Sequence, residues 1–100
     1  MPKIGKYARI APDVEIHPEA RIKGRAAIAT QDDILVIGPV HGAYFTAYRD
    51  DDIGVRVVRL CFSGTLQEYE VIYEDYCKGD TERLAACKAA VDQIRAHFDL

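Results

Sequence analysis

Long apolar runs are scarce in this 100-residue chain. The longest stretch without a formally charged side chain, Ile34 to Tyr48, is shorter than a bilayer span and is broken by Gly38, Pro39 and Gly42. A membrane partner is therefore not expected, and no apolar h-region near the first residues suggests a signal peptide. Positive charge is not in excess either: 13 Lys and Arg stand against 16 Asp and Glu, a net charge of −3, which gives no electrostatic reason to expect nucleic acid. Cysteine is sparse. Cys61, Cys77 and Cys87 show no C-x-x-C spacing, and three thiols leave one over under any disulfide scheme, which fits reduced, half-buried residues in a cytoplasmic protein. The glycines and lysine of a P-loop are missing, as is an EF-hand pattern around Asp50-Asp51-Asp52, which reads as a solvated turn. No Ser-His-Asp or Cys-His set is supported by spacing, so neither a metal nor a cofactor is expected.

What the chain does contain is isoleucine at every sixth position: Ile4, Ile10, Ile16, Ile22, Ile28 and Ile34. Helices repeat near 3.6 and half-buried strands near two, so a period of six points to short straight segments alternating with corners. A small apolar residue precedes most of these isoleucines by two positions, at Ala8, Val14, Ala20 and Ala26. Pro12, Pro18 and Gly24 follow at the corners. Three such units close one triangular coil, so the roughly five units of residues 4 to 34 give between one and two coils. Repeat architectures bury their cores between stacked neighbours, and a chain of this length buries only about 60 to 70 per cent of its unfolded surface. The open N-terminal end is therefore expected to be covered, most simply by another copy of the chain.

At Asp32 the pattern changes. Ile34 to Ile37 reads as a strand buried on both faces and closed by Gly38-Pro39. Tyr44 to Arg49 reads as a second strand, and Val55 to Phe62 as a third that forms an antiparallel hairpin with the second. Thr65 and Glu68 fit a capping box ahead of a helix whose apolar positions are Leu66, Tyr69, Ile72, Tyr73 and Tyr76. Asp80 or Thr81 caps a second helix with a stripe of Leu84, Cys87, Val91, Ile94 and Phe98. The fold class is α+β: a β-helix-like segment over residues 1–33, then a small antiparallel sheet of three strands packed with two helices over 34–100.

The first third, on its isoleucine ladder, resembles hexapeptide-repeat proteins, the left-handed β-helix group that includes many acyltransferases. Residues 32 to 98 look like the C-terminal domain that follows long hexapeptide arrays in some bacterial and phage proteins of unassigned function. That second likeness rests on Gly38-Pro39, the Thr46 to Arg49 strand end, Gly54 and the Cys61-Phe62-Ser63-Gly64-Thr65-Leu66 run. The acyltransferase likeness implies stacked coils and a histidine as general base. His17, which follows a repeat isoleucine, is the residue that could take that role, although no oriented partner is visible.

The strand-to-helix junction Phe62-Ser63-Gly64-Thr65 is the candidate ligand site. A helix N-terminus offers unpaired N–H groups and partial positive charge, Gly64 permits close approach, and Ser63 and Thr65 add hydroxyls. Arg49, Arg56 or Arg59 across the hairpin could supply a guanidinium for an anion, and Tyr48 with Tyr44, Tyr69, Tyr73 and Tyr76 could line a recess for a planar ring such as a nucleobase. Capping by Ser63 or Thr65, and tyrosines serving core or interface, are the competing readings. His41 reads as a loop residue and His97 as lying near a fraying C-terminus. The function expected is that of a non-enzymatic homo-oligomeric binding protein, phage-encoded and counter-defensive by resemblance, which sequesters a small anionic, nucleotide-like ligand or blocks a host protein. The alternatives are a reduced acyltransferase using His17 and a structural capping or assembly module.

Overall fold

Each short strand near the N-terminus pairs in parallel with a strand 18 positions further on. In the computed structural model, which describes residues 3–100, β1 (Lys3–Ile4) lies beside β3 (Arg21–Ile22), with Lys3 opposite Arg21. In the same way β2 (Arg9–Ile10) lies beside β4 (Ala27–Ile28), with Arg9 opposite Ala27. Three six-residue units therefore make one circuit, which stacks Ile4 on Ile22 and Ile10 on Ile28. Corner bonds hold the circuits together: the amides of Lys3, Gly5, Arg9 and Ala11 donate to the carbonyls of Ala20, Ile22, Ala26 and Ile28.

A 3₁₀ turn at Gln31–Asp33 leads into a four-stranded antiparallel meander of β5 (Ile34–Val40), β6 (Ala43–Asp50), β7 (Gly54–Arg59) and β8 (Phe62–Gly64). The β5–β6 turn is His41-Gly42, with positive φ at both residues, the condition for a tight hairpin whose twist matches its strands. The sequence reading has three strands, and the structure corrects it: the run from Val55 to Phe62 is broken at Leu60-Cys61, where Leu60 adopts φ 52°. A turn made of Leu and Cys carries none of the Gly, Asn or Asp signals by which such hairpins are read. A second correction concerns β5, where Leu35, Val36 and Ile37 are only half-buried because it is one of the two edge strands of the sheet.

Helices α1 (Leu66–Tyr76) and α2 (Thr81–Phe98) follow, capped by Thr65 and Asp80. Thr65 Oγ1 accepts from the Glu68 amide while the Glu68 carboxylate accepts from the Thr65 amide, the reciprocal pair that the spacing predicts. Asp80 accepts from the Arg83 amide. Both apolar stripes pack on the sheet, although Tyr76, assigned to the first stripe, is 67% exposed.

The sheet is the middle of three layers because its side chains alternate. Phe45, Ala47, Val55 and Val57 face the helices and pack with Leu66, Tyr69, Cys87, Val91 and Ile94. Tyr48 and Val58 face the coils and pack with Ile22, Ala26, Ile28 and Ile34. No helix among the described residues is long and apolar enough to cross a membrane.

Candidate functional site

The strand-to-helix junction is assembled as its residues suggest, but its anion position is filled by the chain itself. The Glu68 carboxylate sits on the Thr65 amide at 2.9 Å, and this bond, with the Thr65 hydroxyl, lowers the Glu68 carboxyl below its ordinary value. Gly64 is buried, and a Cβ there would meet Glu68 Oε1 at 3.0 Å and the Phe62 ring at 3.1 Å. The close approach that Gly64 permits is thus occupied by Glu68 and Phe62.

Arg56 and Ser63 come together next to this junction. Arg56 Nε donates to Asp50 Oδ2 at 2.9 Å, and its NH1 donates to the exposed Ser63 hydroxyl at 3.0 Å. Burial alone would raise the Asp50 carboxyl, but bonds from Arg56 and from the Asp52 and Ile53 amides outweigh it and hold Asp50 below the usual carboxylate range. The Asp50 bond raises Arg56 in return. Gly24, at φ 66°, lets the coil corner lie against this guanidinium, since a Cβ there would stand 3.0 Å from Arg56 Nε.

The other nominated residues lie elsewhere. Tyr48 is fully buried, and its hydroxyl is engaged with the Lys23 backbone at 2.7 Å, both as donor and as acceptor. Burial pushes its phenol up to about 12. Arg49 points to the opposite face of the sheet, 3.9 Å from Asp33 and 5.1 Å above the Phe98 ring. His17 is exposed. Its Nδ1 accepts from the Glu19 amide at 3.0 Å and its ring leans on Tyr44. His97 is held in α2, with Nε2 2.8 Å from the Asp32 carbonyl, so the expectation of a frayed position does not hold. In the acidic turn, Asp50 and Asp51 pair with Arg56 and Arg9, and among the described residues no group of three or more metal-ligating side chains converges.

A different cavity opens between the β7–β8 turn and the helices, with a volume of about 210 Å³. Arg59 lies at its wall, 7% exposed, with NH1 donating to the Ala43 carbonyl at 3.1 Å and NH2 to the Val40 carbonyl at 2.9 Å. Its guanidinium rests 4.4 Å over the Phe45 ring. Among the described residues no carboxylate comes within ion-pair distance of it. Tyr69 and Phe62 pack edge to face at 5.2 Å in the same lining, and all three cysteines border the space. Cys61 is exposed, against the half-buried position expected from sequence. Cys77 and Cys87 are buried with their sulfurs 3.9 Å apart, and burial raises both the Cys77 thiol and the Tyr69 phenol.

The sequence reading includes Arg59 as one possible guanidinium for the junction and misses this cavity. A signal for it exists. Val55, Val57 and Arg59 share one face of β7, so Arg59 places a charge at a position that the alternation assigns to the core. Comparison with protein-family models, with curated proteins and with solved structures finds no match for this chain.

Proposed function

We propose that this chain is a non-enzymatic binding protein that associates with a second copy of itself through its N-terminal coil. The observation that carries the reading is the contrast between the two ends of that coil. Ile22 and Ile28 are 2% and 1% exposed, whereas Ile4, stacked on Ile22, is 48% exposed. Ile10 and Ile16 are half-exposed beside it.

Backbone bonding divides in the same way. Alternate residues of a strand turn their N–H and C=O groups to opposite sides. The amides of Lys3, Gly5, Arg9 and Ala11 point to the second circuit, so Ile4 and Ile10 turn theirs to the open side, where β1 and β2 have no neighbouring strand among the described residues. The far side of the second circuit is already covered: the Arg21 amide donates to Thr46 Oγ1, the Lys23 amide to the Tyr48 hydroxyl, and the Asp51 amide to the Arg25 carbonyl. Among the described residues only one end of the coil is free, so two copies meet through the same surface about a two-fold axis, and head-to-tail growth has no second face to use.

The 18-residue register and the Pro and Gly corners also support a kinship with hexapeptide-repeat solenoids, of which this segment keeps fewer than two coils. A catalytic reading finds less support. His17 has its Nδ1 engaged by a backbone amide, and among the described residues no carboxylate lies within ion-pair distance of it.

Light scattering on the purified protein tests the association. Two copies per particle at micromolar concentration, falling to one in Ile10→Asp with the fold retained by circular dichroism, is the expected result. A wild-type protein that is strictly monomeric at millimolar concentration removes the reading.

A further inference from the structure

We propose that the cavity beside Arg59 is a binding site for a small planar acid, a single aromatic ring bearing one carboxylate or phosphate group. The inference deepens the binding role proposed above by locating the ligand and naming its class, and it does not depend on the dimer.

A guanidinium carries five N–H donors, and burying one without an acid leaves its charge uncompensated. In Arg59 one hydrogen of each terminal nitrogen goes to a backbone carbonyl, Ala43 or Val40. Those two bonds fix the plane of the group and leave Nε–H and the second hydrogen of each terminal nitrogen for another acceptor. Carboxylates and phosphates match such a fork with two oxygens.

The lining supports the same sign of charge. Among the described residues Arg59, Arg83 and His41 border the cavity and no Asp or Glu does, in a chain whose net charge is −3. The remaining titratable groups facing the space are the three cysteines with Tyr69 and Tyr76. A cluster of basic side chains free of acids, in an acidic protein, is a local focus for an anion.

Shape and size narrow the class. Phe62 and Tyr69 contribute aromatic rings to the lining, which suits a flat apolar body. The volume of about 210 Å³ lies below the roughly 300 to 1,000 Å³ usual for drug-sized ligands. One ring and one acidic group fit within that limit; a dinucleotide or a coenzyme A thioester does not. The nucleotide-like ligand expected from the sequence is thereby reduced to a smaller acid, and its place moves from the Ser63–Thr65 junction to the opposite face of β7.

The test is a titration of wild-type protein with phenyl phosphate and with benzoate, followed by nuclear magnetic resonance at the Arg59 Nε–H and at the Cys61 and Cys77 amides. Phenol and inorganic phosphate, each titrated alone, separate the ring from the charge. Saturable shifts at Arg59 with either ring acid, at least tenfold tighter than with phenol or inorganic phosphate, are expected. Phenyl phosphate or benzoate should then also slow alkylation of Cys61 by N-ethylmaleimide, and Arg59→Gln should weaken binding at least tenfold. If that variant does not fold, the Arg59 resonance in wild-type protein decides. No shift at Arg59 with either ring acid at millimolar concentration overturns the proposal, and so does phenol binding as tightly as phenyl phosphate. A monomer that binds would count against the dimer alone, and a dimer that binds neither acid against this site alone.

Discussion

The Tyr48 hydroxyl grips the Lys23 peptide from both sides, donating to its carbonyl and accepting from its amide, each at 2.7 Å. This one side chain links the middle of the sheet to the edge of the second coil, and it is fully buried. Removing the hydroxyl leaves two backbone groups without partners, which costs about 1–3 kcal/mol. Tyr48→Phe should lower the unfolding free energy by that amount, read as a lower urea midpoint at an unchanged denaturant slope. No loss of stability would show that the coil is held by apolar packing alone.

The Asp50–Arg56 pair makes a pH-dependent contribution. Because the folded carboxyl of Asp50 is held below its unfolded value of about 3.9, its stabilisation is complete above that pH and is lost as the pH falls through the folded value. Stability should therefore decline below about pH 4. Asp50→Asn should flatten that decline and, at neutral pH, cost about 2–4 kcal/mol by leaving the Arg56 charge without its partner. Urea unfolding at a series of pH values reads both effects.

Alkaline conditions act on both faces of the sheet, through the buried Tyr48 phenol on the coil side and, at lower pH, through the helix side. Burial raises the Cys77 thiol and the Tyr69 phenol, so each favours its neutral form in the folded chain. Their stabilisation is present below the unfolded values, about 8.5 for a thiol and 10 for a phenol, and is lost as the pH rises above them. Thermal midpoints should drop between about pH 8.5 and 11, and Cys77→Ala should delay the onset. A midpoint that stays flat over that range contradicts this reading of the buried face.

The Leu60-Cys61 turn carries strain at the rim of the Arg59 cavity. Leu60 is 59% exposed at φ 52°, where an L side chain with a Cβ is disfavoured by about 1–2 kcal/mol. Leu60→Asn should relieve part of this and raise stability by about 0.5–1 kcal/mol. A destabilised variant would mean that the Leu60 side chain holds the turn by packing.

How much of this is legible in the sequence differs by element. The ladder and its corners are legible because they repeat, and the caps of α1 and α2 because they are local: Thr65 and Glu68 lie three residues apart. The Tyr48–Lys23 bond joins residues 25 positions apart, so no local pattern announces it. That is why Tyr48 reads as a ligand residue in the sequence and proves to be a structural tie. The junction at Ser63–Thr65 is legible as a helix start, and its capping-box spacing already puts the Glu68 carboxylate on the Thr65 amide; the packing of Phe62 beside it over Gly64 is not legible. Arg59 reads in the sequence only as one possible guanidinium for the junction, although the alternation of β7 puts its charge on an inward position, and the cavity depends on Leu60 and Cys61 turning back, which their chemistry does not signal.

The amides of Ile4 and Ile10 give the most direct reading of the open coil end. They point away from the second circuit and have no strand beside them among the described residues, so in a lone copy they exchange with solvent as freely as any edge amide. Hydrogen exchange measured at micromolar and at millimolar protein concentration decides the matter. Docking of a second copy predicts protection at both amides that grows with concentration, while the Gly5 and Ala11 amides stay protected throughout. Fast exchange at Ile4 and Ile10 at every concentration, with the coil otherwise intact, would contradict self-association through this end.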